Sequence, residues 1–212
     1  MRIQTPIVSA ALGLALAAGL PAAVTGCATS SAERLDSTTS TMADIQSDLD
    51  RGEAQLETLL VSMQNLESSE DIDATYRSFR RAAEDIEDTA ERVRSRRVSL
   101  EARAADHAAR WQAESARLSG DRAQEISEDR REQFKDSVNS VSDELDELRA
   151  AYDPFVTKLN DLRVVLSNDL TRRGIERTAP LRADLREMAA DLKERSEAAR
   201  EALSDARDDF AR

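Results

Sequence analysis

Few residues in this chain have types and spacings that could do chemistry. There is one cysteine, Cys27, and one histidine, His107. His107 and Trp111 stand four apart, so on a helix they share a face. A lone imidazole could hold a metal only with carboxylates as its other ligands, and it is the side chain that titrates near neutral pH. The plainer expectation is a packed pair in a helical core, with Trp111 as anchor. Arg92, Arg94, Arg96 and Arg97 form a basic cluster suited to phosphate, lipopolysaccharide or an acidic glycan. Carboxylates such as Glu84 and Asp88, or Asp143 and Glu147, lie one helical turn apart. General acid–base work needs such groups to converge in a pocket with shifted pKa values, whereas on amphipathic helices these pairs fall on solvated faces. No Gly-rich phosphate loop, nucleophile elbow, CxxC or HExxH motif is present. The expectation is a non-enzyme with no cofactor and no metal.

Cys27 has a more specific context. The chain opens MRIQTPIVSAALGLALAAGLPAAVTGC. Arg2 precedes an uncharged, mostly apolar run from Ile7 to Leu20, which is shorter than the roughly 20 residues of a membrane-spanning helix. That is the layout of a secretory signal. Its end, Val24-Thr25-Gly26-Cys27, resembles the bacterial lipobox, in which a peptidase cuts between Gly26 and Cys27 and the Cys carries the lipid. The resemblance implies residues 1–26 as signal peptide, Cys27 as lipid attachment site, 27–32 as tether and 33–212 as one helical domain. Three acyl chains exceed the two signals that stable anchoring needs. Ala28 and Thr29 follow Cys27, with no Asp. In enteric-type bacteria that pattern resembles export to the outer membrane, so the expected location is the cell envelope, on its periplasmic face.

The elements that must position everything else follow from composition and periodicity. Lys plus Arg number 30 and Asp plus Glu 42, for a net charge of −12, with six Gly, four Pro and seven aromatics (one Trp, two Tyr, four Phe). Such acidity argues against a nucleic-acid partner. The scarcity of turn residues and β-formers argues against a sheet. Apolar residues recur in heptads: Leu35, Met42, Leu49, Leu56, Met63 with Thr38, Ile45, Gly52, Leu59, Leu66 in the first segment, roughly Glu33 to Leu66. The second, Ile72 to Leu118, carries Phe79, Ile86, Val93, Leu100 and His107 in one register and Ala83, Ala90, Arg97, Ala104 and Trp111 in the other. The third, Asp121 to Arg173, has the fullest seam and contains Pro154, where a kink or restart is expected. Gly174 to Pro180 is the last breaker, and Thr178 to Phe210 the fourth segment. The fold class is all-α: an elongated antiparallel bundle of three to four long helices.

Charge gives the second and third segments a register. Folded back at Ser119-Gly120, their facing residues have numbers adding to about 239. Arg92, Arg94, Arg96 and Arg97 then face Asp143, Glu144, Asp146 and Glu147; Arg103 faces Asp136 and Arg110 faces Asp129. Leu100 is expected near Val138 or Asn139, and Trp111 near Glu128.

The stretch Pro154 to Asp161, then Leu166-Ser167-Asn168-Asp169-Leu170-Thr171 and Ile175, resembles the characteristic stretch of a family of bacterial lipoproteins and exported helical proteins described only as a domain of unknown function. Trp111, Ser127 and Phe134 also stand where that family has a Trp, a Ser and an apolar residue. The resemblance spans roughly residues 35 to 205 and implies long helices and an envelope location, with no known activity. The chain departs from it at Ser167, Asn168 and Asp169, where Lys, His and Asn are typical. On physical grounds Asn168, Asp169 and Thr171 interrupt the best seam. They are either capping residues at a helix end or a polar interaction patch at the bundle tip. The expected role is therefore structural or protein-binding, through an envelope protein or self-association. A groove binder for an apolar ligand, chaperone client or envelope polymer is the alternative.

Overall fold

A computed structural model describes residues 30–211, so Gly26 and Cys27 of the signal-and-lipid motif lie outside the described residues. The described chain forms helices α1 (Ser31–Ser68), α2 (Ile72–Ser115), α3 (Asp121–Asn168), the short α4 (Arg172–Arg177) and α5 (Ala179–Ala211). The four long helices form an up-down-up-down bundle. At about 1.5 Å per residue α3 alone spans about 70 Å, several times the width of a helix, so the bundle is elongated.

Local sequence sets the ends. Ser30 accepts from the Glu33 amide at 3.2 Å while the Glu33 carboxylate accepts from the Ser30 amide at 2.6 Å. This reciprocal capping starts α1 at Ser31, two residues before the expected start. Asp71 caps α2 by accepting from the Ala74 amide at 2.9 Å. The second helix stops at Ser115, so Leu118, expected in its seam, stands exposed beyond it. Gly120 is the N-cap of α3, and Asp121 its first residue. The helix runs through Pro154 without the expected restart. Both Pro154 and Ala150, whose carbonyl loses its partner to the proline, are exposed, so that oxygen faces solvent. The third segment ends at Asn168, not Arg173, and part of the expected breaker is helical as α4.

The heptad residues supply the core. Met42, Ile45, Leu59, Met63, Phe79, Leu100, Val141, Phe155, Leu159, Leu162, Leu166, Leu185 and Leu203 are fully buried. They form two clusters. One surrounds Phe79 and Phe155 near the α1–α2 turn, and the other surrounds Leu100 and Phe134 near the α2–α3 turn. Truncating a buried Leu or Phe in either would cost about 2–5 kcal/mol. Packing is closest within the pairs α1–α2 and α3–α5, and looser across the α2–α3 and α1–α5 seams.

The register expected for α2 and α3 holds. The Trp111 indole donates to Ser127 at 2.9 Å, Tyr76 donates to the Arg163 carbonyl at 3.1 Å, and the His107 and Phe134 rings lie 4.8 Å apart. Each of these contacts lies within a residue or two of the expected pairing, and Leu100 shares a cluster with Val138.

Gly52 sits between the two clusters in mid-helix, and a Cβ there would meet only the Thr89 methyl at an ordinary 3.5 Å. Alanine therefore fits and removes glycine's entropic cost. Gly52→Ala should stabilise the protein by about 0.5–1 kcal/mol in urea or thermal unfolding; destabilisation would show the site is tighter than described.

Candidate functional site

The bundle has three polar regions that sequence reasoning marked: the tip, the waist and the end formed by the α2–α3 turn. At the tip, Asn168 is the last residue of α3 and is exposed. Asp169 Oδ1 accepts from the Thr171 amide at 3.3 Å and the Thr171 hydroxyl at 2.7 Å. Thr171 in turn caps α4 by accepting from the Gly174 amide at 3.1 Å. Gly174 is buried against this turn, and a Cβ would stand 2.2 Å from the Asp169 carbonyl oxygen, which no relaxation accommodates cheaply. Asp169 and Thr171 thus act as capping residues, the plainer of their two expected roles, and Asn168 is the member of the trio without such a bond among those described.

The same tip holds a residue that sequence reasoning missed. Arg182 of α5 is 2% exposed. Its Nε donates to the Thr178 hydroxyl at 3.1 Å and its Nη2 to the Ile175 carbonyl at 3.1 Å, while Nη1 pairs with Glu67. Arg186 reaches the same carboxylate at 3.1 Å, and Arg172 donates to the Ser69 carbonyl at 3.0 Å. The last turn of α1 has no basic residue of its own. Cations from α4 and α5 therefore face its negative end and fasten it to the other helix pair. The hydrogen bond from Arg186, with the charge of Arg182, holds the Glu67 carboxyl below its usual range.

At the waist, the basic cluster is paired within the chain, but mostly not with the acids of the third segment that were expected to face it. Asp48 of α1 is 1% exposed and receives Arg51 at 2.8 Å, Arg92 at 3.4 Å and Arg96 at 3.2 Å. Arg96 also reaches Asp44 at 3.7 Å and does not approach Asp143. Arg97 alone reaches one of the four expected acids, with a two-pronged pair to Asp146 at 2.5 and 2.6 Å. Arg94 binds Glu91 and lies 4.0 Å from Asp153. Arg103 donates to Ser37 of α1 rather than meeting Asp136, and Arg110 pairs at 3.0 Å with Asp106 of its own helix rather than Asp129. The reason is packing: α2 lies closest to α1, so α1 takes its inward-leaning arginines.

At the α2–α3 turn end, His107 is 1% exposed and packs edge-on against Trp111, with Phe134 and Phe210 extending the cluster. Trp111 donates to Ser127, whose hydroxyl also lies 2.5 Å from that of Ser115. Trp111, Ser127 and Phe134, which carried part of the resemblance, therefore form one assembly. Burial, reinforced by the nearby Arg34 charge, pushes the His107 pKa down; Glu114 and Asp106 oppose it more weakly. Among the described residues no three His, Cys, Asp or Glu come together to hold a metal. Glu84 pairs with Arg80 at 3.3 Å and Glu147 with Arg195 at 3.6 Å, while Asp88 and Asp143 are exposed. These carboxylate pairs sit on solvated faces, as expected.

The geometry describes an all-α bundle whose polar groups cap, clamp and pair. The chain belongs to the family described as "Protein of unknown function (DUF2959)", which matches residues 39–212. No curated protein and no solved structure was found to match it.

His107 is the chain's only histidine, so its titration can be isolated. Unfolded, it takes a proton near 6.5; folded, it resists protonation to lower pH. Between those values the unfolded chain binds the extra proton, so stability falls as pH drops through about 6.5 and levels off below the folded value. The melting temperature should fall between pH 7.5 and 5.5, and His107→Phe should flatten that slope. An unchanged slope in the variant would assign the pH dependence elsewhere.

Proposed function

We propose that this protein is a lipid-anchored component of the bacterial envelope that holds an interaction surface at a fixed distance from the membrane, without catalysis. The observation that carries the reading is the Val24-Thr25-Gly26-Cys27 motif followed almost at once by a rigid element, since α1 begins at Ser31. A tether of three residues, about 10 Å when extended, keeps the start of α1 close to the lipid. None of the described helices is long and apolar enough to cross a membrane, so among them none competes with the lipid as anchor.

The topology supports a polarity. The start of α1, the α2–α3 turn and the end of α5 share one end of the bundle; the α1–α2 turn and α4 share the other. With lipid on Cys27, the first end faces the membrane and the Asn168–Arg177 tip faces away. Arg173 and Arg177 of α4 and Asn168 at the end of α3 are exposed. Such a tip suits a protein partner in the envelope, or a second copy of the chain, and the acidic whole does not suit nucleic acid. The outer membrane, on its periplasmic face, fits the residues after Cys27.

Cys27→Ser tests the anchor. In the native host the variant should lose incorporation of a palmitate analogue and move to the soluble fraction, while its circular dichroism stays helical. Retained label and retained membrane association would overturn the reading.

A further inference from the structure

Between the two core clusters the bundle is incompletely filled. The pairs α1–α2 and α3–α5 meet there across their looser seams, and the small residues Gly52, Ala90 and Ser196 face the space, Gly52 at a heptad position whose neighbours in the same register are Ile45 and Leu59. The result is a cavity of about 110 Å³ walled by Leu49, Leu56, Ile86, Val93, Leu145 and Leu192. Two of the opposing walls come from different helix pairs, so the space exists because no side chain is large enough to bridge them.

The charges at its rim are engaged with one another. Arg97 holds Asp146 at 2.5 Å, Arg149 lies 3.7 Å from Asp153, and Lys193 holds Glu57 at 2.8 Å. The Tyr152 hydroxyl donates to the Ile86 carbonyl at 3.4 Å, and burial pushes its pKa up, so it stays neutral. A charged ligand finds no spare counter-ion here. The cavity is partly open to solvent and its exposed lining is mostly apolar, with polar groups such as Thr89 and Ser196 at its margin, so an apolar occupant displaces water that most of the wall cannot hydrogen-bond.

We propose that this waist cavity is a binding site for a neutral hydrocarbon group of about benzene's size, either a free small molecule or the end of an alkyl chain. An occupant restores the contacts that the walls lose to the void. It also stiffens the junction between the two helix pairs. The site is independent of the proposed anchoring at Cys27.

The test is thermal unfolding of the purified protein with saturating benzene, followed by circular dichroism. The melting temperature should rise by about 2–4 °C. The rise should shrink in Gly52→Ala, which removes part of the space, and vanish in Ala90→Leu, which fills more of it. Should Ala90→Leu fail to fold, Gly52→Ala decides, since its added methyl meets no tight contact. No rise in the wild type, or an equal rise in every folded variant, would overturn the proposal. Repeating the measurement with 1-decanol separates the two sources. A rise with both probes identifies the end of an alkyl chain, and a rise with benzene alone identifies a compact free molecule.

Discussion

Each long helix carries an apolar stripe only about two residues wide per heptad, a single cysteine allows no disulfide within the chain, and among the described residues no three His, Cys, Asp or Glu come together as metal ligands. The stripes can leave water only by facing one another, and that constraint governs the rest. Four stripes close a bundle; any helix removed would bare the others. With little loop between them, successive helices must run antiparallel. The buried residues alternate at three and four along each helix, and their meeting produces two clusters rather than one continuous core. The gap between the clusters arises where the stripe carries small residues, so the waist cavity is a consequence of the same pattern.

Polar groups then reinforce how the pairs are arranged. Arg182 is buried at the tip with its guanidinium fully engaged by the Glu67 carboxylate of α1, the Thr178 hydroxyl and the Ile175 carbonyl, where the last turn of α1 carries an acid and no cation of its own. Asp48 is buried at the waist because three arginines converge on it from α1 and α2. Removing one partner from such a cluster leaves charge in a poorly solvated place, a far larger penalty than losing an exposed ion pair. These two clusters link α1 to α5 and α1 to α2, while Arg97 with Asp146 links α2 to α3. Packing sets which helices are neighbours, and these ion pairs reinforce that arrangement where the apolar stripes alone would accept several.

Helices, heptads and the α2–α3 register were legible in the sequence because each rests on spacing, and spacing survives folding. The partners of Arg92, Arg96, Arg103 and Arg110 were not. A hairpin drawn from two segments has only two helices to choose from, whereas in the bundle α1 lies nearer to α2 than α3 does. Asp48 could have been noticed: it sits three residues after Ile45 and directly before Leu49, inside the arc of the stripe rather than opposite it. Arg182 shows the same signal, three residues before Leu185 and four after Thr178. A charge at a core-facing position is a marked residue, even where its partner lies more than a hundred positions away, as Glu67 does. The tip trio was readable in place but ambiguous in role, because Asp and Thr cap helices and bind partners with the same oxygen atoms.

The proposed role joins one end of this bundle to lipid and leaves the other free, and it stands or falls on that polarity. Energy transfer from a donor on the bundle to an acceptor on lipid headgroups tests it directly in vesicles carrying the lipidated protein. A donor at Ser119, in the α2–α3 turn, should transfer efficiently. A donor at Arg173 in α4, separated from that turn by the length of α3, about 70 Å, should transfer almost nothing. Equal transfer from both positions would mean that the bundle lies flat on the bilayer, and stronger transfer from Arg173 would mean that it is anchored by the opposite end; either result would contradict the account.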